Sequence, residues 1–359
     1  MNEKPTQINW SNKNLQTFPQ ELFEQYSYIK TLRLNHCNIQ KIPKDIKIMS
    51  SLTRLSINMN QIKKIPTELC NLTNLLNLEL SINQITILPA EIKNWHSIQT
   101  LEFFNNSIKS IPSSLSKLKN LKALGLGCNK INKFPEMIDE CENLTELDLS
   151  SNFLTEFPKE IRFPNKLKKL MLCTNRIRNF EWQNNTLEFL DLSFNKLKNF
   201  SLKSQMLKEL DLRGNEFEDD ERKTLDLSSL KASLTTLKIS HNLFTKIPRT
   251  IFALLNLQIL NLSNCNLQIV DEEISKLELL VNLDLSHNMI SSLPSSFERF
   301  FSLKNLYLAG NKINSVPYIL FALPNLHTLD LSVNKIVNLP DKIPTNQSLA
   351  VLSNNNFIF

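Results

Sequence analysis

Glycine is scarce: the chain has 359 residues and only four of them are glycine. A loop that cradles phosphate needs several glycines close together so that backbone N–H groups can approach the anion. That class of nucleotide site is therefore excluded. A strong charge imbalance is also missing, with 41 Lys and Arg against 35 Asp and Glu and a net charge of +6. This is mild for the length and is not the concentrated positive charge of a dedicated nucleic-acid binder. No window approaches the ~18 uninterrupted apolar residues of a membrane-spanning helix. The opening stretch MNEKPTQINWSNK has no apolar core of a secretory signal. The six cysteines, Cys37, Cys70, Cys128, Cys141, Cys173 and Cys265, form no CxxC pair, so the usual sequence sign of a zinc site is missing. These absences together lead us to expect a cytoplasmic protein with reduced thiols.

What the chain has is a beat. The stretches SLTRLSINMNQIKKIP (51–66), NLLNLELSINQITILP (74–89) and SIQTLEFFNNSIKSIP (97–112) all fit LxxLxLxxNxLxxLP. Their asparagines Asn60, Asn83 and Asn106 are 23 residues apart. The same slot continues at Asn129, Asn152, Asn175, Asn195, Asn215, Asn242, Cys265, Asn288, Asn311 and Asn334. It extends upstream to Cys37 and Lys13, and downstream to Asn355. Sixteen units thus cover residues 8–357.

The pattern resembles the leucine-rich repeats, and LPxxIxxLxxL is similar to intracellular Ras-signalling scaffolds and the plant intracellular Ras-group-related proteins of that family. The resemblance implies an α/β solenoid of about 16 repeats, curved as a horseshoe. It would carry a parallel β-sheet on its concave face and loops, short helices or 3-10 turns on its convex face. The residues say why. LxL alternates with period 2, giving a short strand with its leucines inward. The asparagine carboxamide offers donors and an acceptor to backbone groups left open where the chain turns out of the strand. The proline that follows in eleven units fixes φ and forbids helix continuation at that turn.

Catalysis finds little support. His241 and His287 hold the same repeat position with one unit between them, roughly 10 Å by strand spacing, too far for a shared metal. Asp284, Ser286 and His287 mimic a hydrolase trio, yet LDLSxN is the repeat consensus and recurs at 147–152, 190–195 and 329–334. We expect no catalytic residue, no metal and no cofactor. Cys128 and Cys173 lie two units apart, beyond the ~7 Å reach of a disulfide, and free thiols are expected.

The outward residues of the strands carry the information. Five Asp in the LxL column read as scaffold. The departures are Arg33 with Arg54, then Glu79 and Glu102 with Ile82 and Phe104, then the low spot of Gly125 and Gly127, then Lys169 and Met171, and farther on Tyr307. Apolar anchors beside mixed charges suit a protein partner better than a polyanion. The family resemblance implies a partner in intracellular signalling, such as a Ras-type small GTPase or a phosphatase. The alternative is the regulatory region of a larger enzyme, such as a metal-dependent Ser/Thr phosphatase, kinase or cyclase. Lysine clusters such as Lys63-Lys64 and Lys117 with Lys119 read as solvated faces, and nucleic acid or lipid is disfavoured by the mild charge.

Two irregularities remain. The last unit stops at NNNFIF, so we expect continuation beyond 359 or end-to-end self-association covering Phe357 and Phe359. Between Asn175 and Asn242 the steps are 20, 20 and 27 residues. The irregular repeats around 176–233 are therefore read as part of one solenoid over 1–359. The run EDDERKTLDLSSL predicts a helix on the convex side over 219–231, with the acidic residues 216–221 as a second contact site.

Overall fold

The computed structural model describes residues 5–162, 166–219, 225–338 and 350–355. Two compact units divide the chain, Met1–Arg176 and Ile177–Phe359. The division falls where the repeat first shortens.

In the first unit eight three-residue strands stack in sequence order: β1 (Gln7–Asn9), β2 (Thr31–Arg33), β3 (Arg54–Ser56), β4 (Asn77–Glu79), β5 (Thr100–Glu102), β6 (Ala123–Gly125), β7 (Glu146–Asp148) and β8 (Lys169–Met171). Every pairing is parallel and keeps one register, so Leu32, Leu55, Leu78, Leu101, Leu124 and Leu147 form a row. All are buried. A single repeat has nothing to cover its own leucines, so the stack itself makes the core.

Opposite the strands the chain returns through α1 (Glu21–Gln25) and five 3-10 turns at Lys44–Ile48, Thr67–Asn71, Ala90–Asn94, Ser113–Lys117 and Glu136–Glu140. Each 3-10 turn begins directly after Pro43, Pro66, Pro89, Pro112 or Pro135. The proline carbonyl accepts the first turn bond, for example from Leu69 N at 3.0 Å and Leu115 N at 3.0 Å. Proline thus opens a tight turn here instead of ending a helix. Its fixed φ is already suitable and its missing N–H is not needed at that point. At the start of the unit, Lys13 holds the asparagine slot and places Nζ 5.2 Å from the Trp10 ring.

The asparagines bond both neighbours. Asn106 Oδ1 accepts from Ile85 N (2.9 Å), while Nδ2 donates to Leu80 O (2.9 Å) in the preceding repeat and Phe103 O (3.1 Å) in its own. Asn129 and Asn152 repeat the pattern. In the cysteine slots the thiol keeps only the donor role: Cys37 Sγ donates to Trp10 O and Asn35 O, and Cys265 Sγ to Ile239 O and Ser263 O.

The second unit has its own parallel ladder of β10 (Phe189–Asp191), β12 (Glu209–Asp211), β14 (Thr236–Lys238), β15 (Ile259–Asn261), β16 (Asn282–Asp284), β17 (Asn305–Tyr307), β18 (Thr328–Asp330) and β19 (Ala350–Val351). It also has a second sheet, in the order β13 (Leu225–Asp226), β11 (Asn199–Lys203), β9 (Asn179–Gln183). The two 20-residue repeats lack the proline, and NFEWQ and NFSLK alternate apolar with polar residues, which favours strands over a 3-10 return. Their apolar side is packed: Phe180 stacks on Phe200 with centroids 5.6 Å apart, and Trp182 meets Phe180 edge-on at 6.3 Å.

The expected helix over 219–231 is corrected. Its described residues form the short strand β13 and a 3-10 turn at Ser228–Leu230, while residues 220–224 lie outside the described set. Period 2 continued from the preceding repeats pairs Phe200 with Leu225 and Ser201 with Asp226. This pairing outweighs the helix-start signal of the acidic run. One later repeat also lacks the proline, and there Asp271 caps the turn by accepting from Glu273 N at 2.9 Å. The terminal Phe357 and Phe359 lie outside the described residues.

Candidate functional site: the sheet face of the first unit

Parallel register turns the outward column of each strand into a row. On the first unit that row runs Arg33, Ser56, Glu79, Glu102, Gly125, Asp148, Met171. Arg54 stands one strand-width from Thr31 and Asn77, at the first position of β3. Arg33, Arg54, Ser56, Asn77 and Glu79 line one hollow of about 240 Å³. Both arginines are exposed at its rim. Glu79 is held in place: Ser56 Oγ donates to its Oε2 at 2.8 Å and Asn58 Nδ2 donates to the same atom at 3.1 Å. Three of the expected residues, Arg33, Arg54 and Glu79, are thus brought together around a pre-oriented carboxylate.

Glu102 continues the row, and burial pushes its carboxyl up to about 7, with the charges of Asp148, Glu79 and Glu146 adding to the shift. The carboxylate lies over Gly125, and Asp148 and Ser150 lean over Gly127. The low spot expected at the two glycines is therefore filled by neighbouring acidic and hydroxyl side chains. Lys169 pairs across from Glu146 and Met171 across from Asp148, so both lie at the far side of this acidic strip and are half-buried.

Apolar residues stand beside the acids. Ile82 and Phe104 are each 40% exposed and Met59 is 48% exposed. Met59 and Ile82 occupy the position before the ladder asparagine, with φ of +57° and +55°. Left-handed backbone is unfavourable for a β-branched residue such as Ile82. Sequence reading missed Met59, Ser56 and Asn58. Met59 was findable, since it holds the same slot as Ile82. The roles of Ser56 and Asn58 depend on side-chain direction and were not.

On the second unit Tyr307 is exposed between Asp284 and Asp330 in the outward row. The aspartates there serve the turn: Asp191, Asp284 and Asp330 accept from the N–H of Ser193, Ser286 and Ser332, at 2.9–3.0 Å. Ser286 Oγ donates to Asp284 Oδ1 at 2.6 Å, and His287 instead packs over Gly310. The trio is a turn, with no histidine activating the serine. In the acidic run, Glu216 pairs with Lys198 at 3.4 Å and Asp219 accepts from Thr245 N at 2.8 Å. Among the described residues, no group of three or more His, Cys, Asp and Glu is placed to hold a metal. None of the described helices is long and apolar enough to cross a membrane.

Comparison with known proteins agrees with this architecture. The family model described as a leucine-rich repeat region matches residues 77–263, more than half of the chain. Further leucine-rich-repeat models match 256–277, 279–300 and 302–344. No curated protein matches the sequence. Among solved structures, a leucine-rich-repeat protein of Leptospira interrogans is similar at 26% identity and a TM-score of 0.66, over 89% of this chain and 94% of that one. An internalin of Listeria monocytogenes is similar at 20% identity and 0.64, over 93% and 88%. The ectodomain of the Arabidopsis receptor kinase HAESA, solved with a peptide hormone ligand, is similar at 25% and 0.63, over 95% of this chain and 64% of that one.

Proposed function

The chain belongs to the leucine-rich-repeat family, and from that premise we propose that it is a non-catalytic binding protein that holds a protein partner on the sheet face of its first unit. The carrying observation is the hollow of Arg33, Arg54 and Glu79 beside the exposed Met59, Ile82 and Phe104. Exposed apolar groups next to a fixed carboxylate give a partner both anchoring area and orientation. Lys169 and Met171 extend the surface, and Tyr307 offers an aromatic contact on the second unit. A Ras-type small GTPase or a phosphatase in a cytoplasmic signalling assembly is the partner class that the LPxxIxxL repeats suggest. The six free thiols are in keeping with a reducing compartment.

Affinity capture tests this reading. The unmodified chain is compared with a variant carrying Arg33→Glu, Arg54→Glu, Glu79→Lys and Glu102→Lys. We expect the partner recovered by the unmodified chain to be lost from the variant, with the variant still folded by circular dichroism at the capture temperature. Equal recovery by both would exclude the first unit's sheet face. Binding of purified Ras-type GTPase, loaded with a GTP analogue, decides the finer reading.

A further inference from the structure

Beside the sheet of the first unit runs a second regular surface. The residue after each ladder asparagine donates its N–H to the previous repeat: Gln84 to Ile62 O, Ser107 to Ile85 O and Lys130 to Ile108 O, all at 2.8–2.9 Å. The second and fifth residues after the asparagine are buried, as with Ile62 and Ile65 or Ile131 and Phe134. The first, third and fourth therefore face outward and form a flank. These positions carry Lys63, Lys64, Lys109, Lys130 and Lys133, with Lys41 at one end and Arg176 at the other, and all are exposed. Glu156 is the one acid at these positions among the described residues of the first unit.

The lysines of the flank have no ion-pair partner among the described residues. Elsewhere on the same unit Lys44 is paired with Glu68, Lys117 with Glu140, and Lys119 with Glu140 and Glu142. Carboxylates and arginines thus share the sheet face, whereas the flank is almost wholly basic. Glu79, Glu102, Glu146 and Asp148 gather on the sheet, and unpaired lysines gather on the flank. The modest net charge of the whole chain hides this basic flank. Two apolar groups stand among the lysines: Ile87 is 70% exposed, and Phe153 is 40% exposed with the Arg176 guanidinium 4.8 Å from its ring centroid.

We propose that this flank docks on an anionic membrane surface. Lysine supplies a compact, flexible point charge, suited to the diffuse field of a headgroup layer, and lacks the planar fork that arginine uses on nucleic acid. Ile87 and Phe153 can enter the boundary between headgroups and acyl chains. Successive repeats lie about 5 Å apart by strand spacing, which spreads the lysines over a broad face and makes their attraction additive. None of these residues belongs to the sheet face, so this inference stands or falls separately from the partner reading.

Sedimentation of the full chain with lipid vesicles tests it. We expect binding to vesicles of phosphatidylcholine mixed with phosphatidylserine, and no binding to phosphatidylcholine alone. Each cation removed should lower the partition coefficient about fivefold. Lys63→Gln, Lys109→Gln and Lys130→Gln together should then lower it on the order of 100-fold, and the corresponding triple Lys→Arg variant should retain binding. All three sites are exposed, so thermal midpoints should match. Equal binding by the unmodified and glutamine variants would overturn the proposal. Tighter binding of the unmodified chain to duplex DNA or RNA than to the phosphatidylserine vesicles at the same salt would also overturn it.

Discussion

The carboxylate of Glu102 occupies the space a side chain on Gly125 would need: a methyl group there would come within 1.9 Å of Oε2. The absence of a side chain on one strand is thus what lets an acid on the next lie flat against the sheet, where burial and three neighbouring carboxylates oppose its ionisation.

A pH dependence follows. The folded-state value of about 7 is above the ordinary 4.5, so between those values the folded chain holds a proton that the unfolded chain has released. The contribution of Glu102 to stability is fully present below the ordinary value and is lost as pH rises through about 7. Glu102→Gln should therefore match the unmodified chain near pH 4 and exceed its stability by about 1–2 kcal/mol near pH 8, allowing for solvent screening. Urea denaturation at the two pH values measures this. Gly125→Ala should push the carboxylate outward and return its titration toward the ordinary range, read by carboxyl carbon NMR.

Asparagine should outperform its replacements in the ladder. Asn129 Nδ2 donates to Phe103 O, Leu126 O and Gly127 O, and Oδ1 accepts from Ile108 N. Asn129→Ala leaves these buried groups open and should cost about 3 kcal/mol. Asn129→Cys should cost about half of that, roughly 1.5 kcal/mol, because a thiol in the same slot still donates, as Cys265 does to Ile239 O and Ser263 O. Equal losses for the two variants would show that the donor bonds contribute little.

Ile82 sets stability against binding. It is β-branched, has φ of +55° and is exposed. Ile82→Asn relieves the strained backbone and should raise stability by about 1 kcal/mol, while weakening capture of the partner. A variant that gains stability and binds equally well would remove Ile82 from the contact surface.

The thiols should separate into two groups. Cys37, Cys70, Cys141 and Cys265 are buried, while Cys128 and Cys173 are half-exposed. Burial pushes the Cys70 and Cys141 thiols up to about 12, so neither supplies thiolate near neutral pH. An aromatic disulfide reagent should react fast with Cys128 and Cys173 and reach the other four only on unfolding.

The repeat was legible because its physics is local. LxL gives a strand, the asparagine slot fixes the turn, and spacing gives the register, so the row containing Glu79 and Glu102 could be written from the sequence alone. The second sheet was not legible in the same way. NFEWQ and NFSLK show the right alternation, but whether they pair depends on two short repeats bringing Phe180 and Phe200 together. The helix expected over 219–231 failed for the same reason, since cross-repeat pairing outweighed a local signal. In the site, the charges were visible. The hydrogen bonds that fix Glu79 and the burial of Glu102 depend on side-chain direction, which spacing does not give.

The ladder also sets how such a chain can grow or shrink. The bond to Asn106 Oδ1 comes from 21 residues back, yet those to Asn195 and Asn215 come from 18 back and that to Asn242 from 25 back. The slot is invariant while the path between slots is elastic. Removal of one whole period would join equivalent positions and restore every bond, whereas removal of a single strand residue would turn leucines outward. Length is thus quantised along the stack and continuous only on its outer side, where additions leave the sheet in phase.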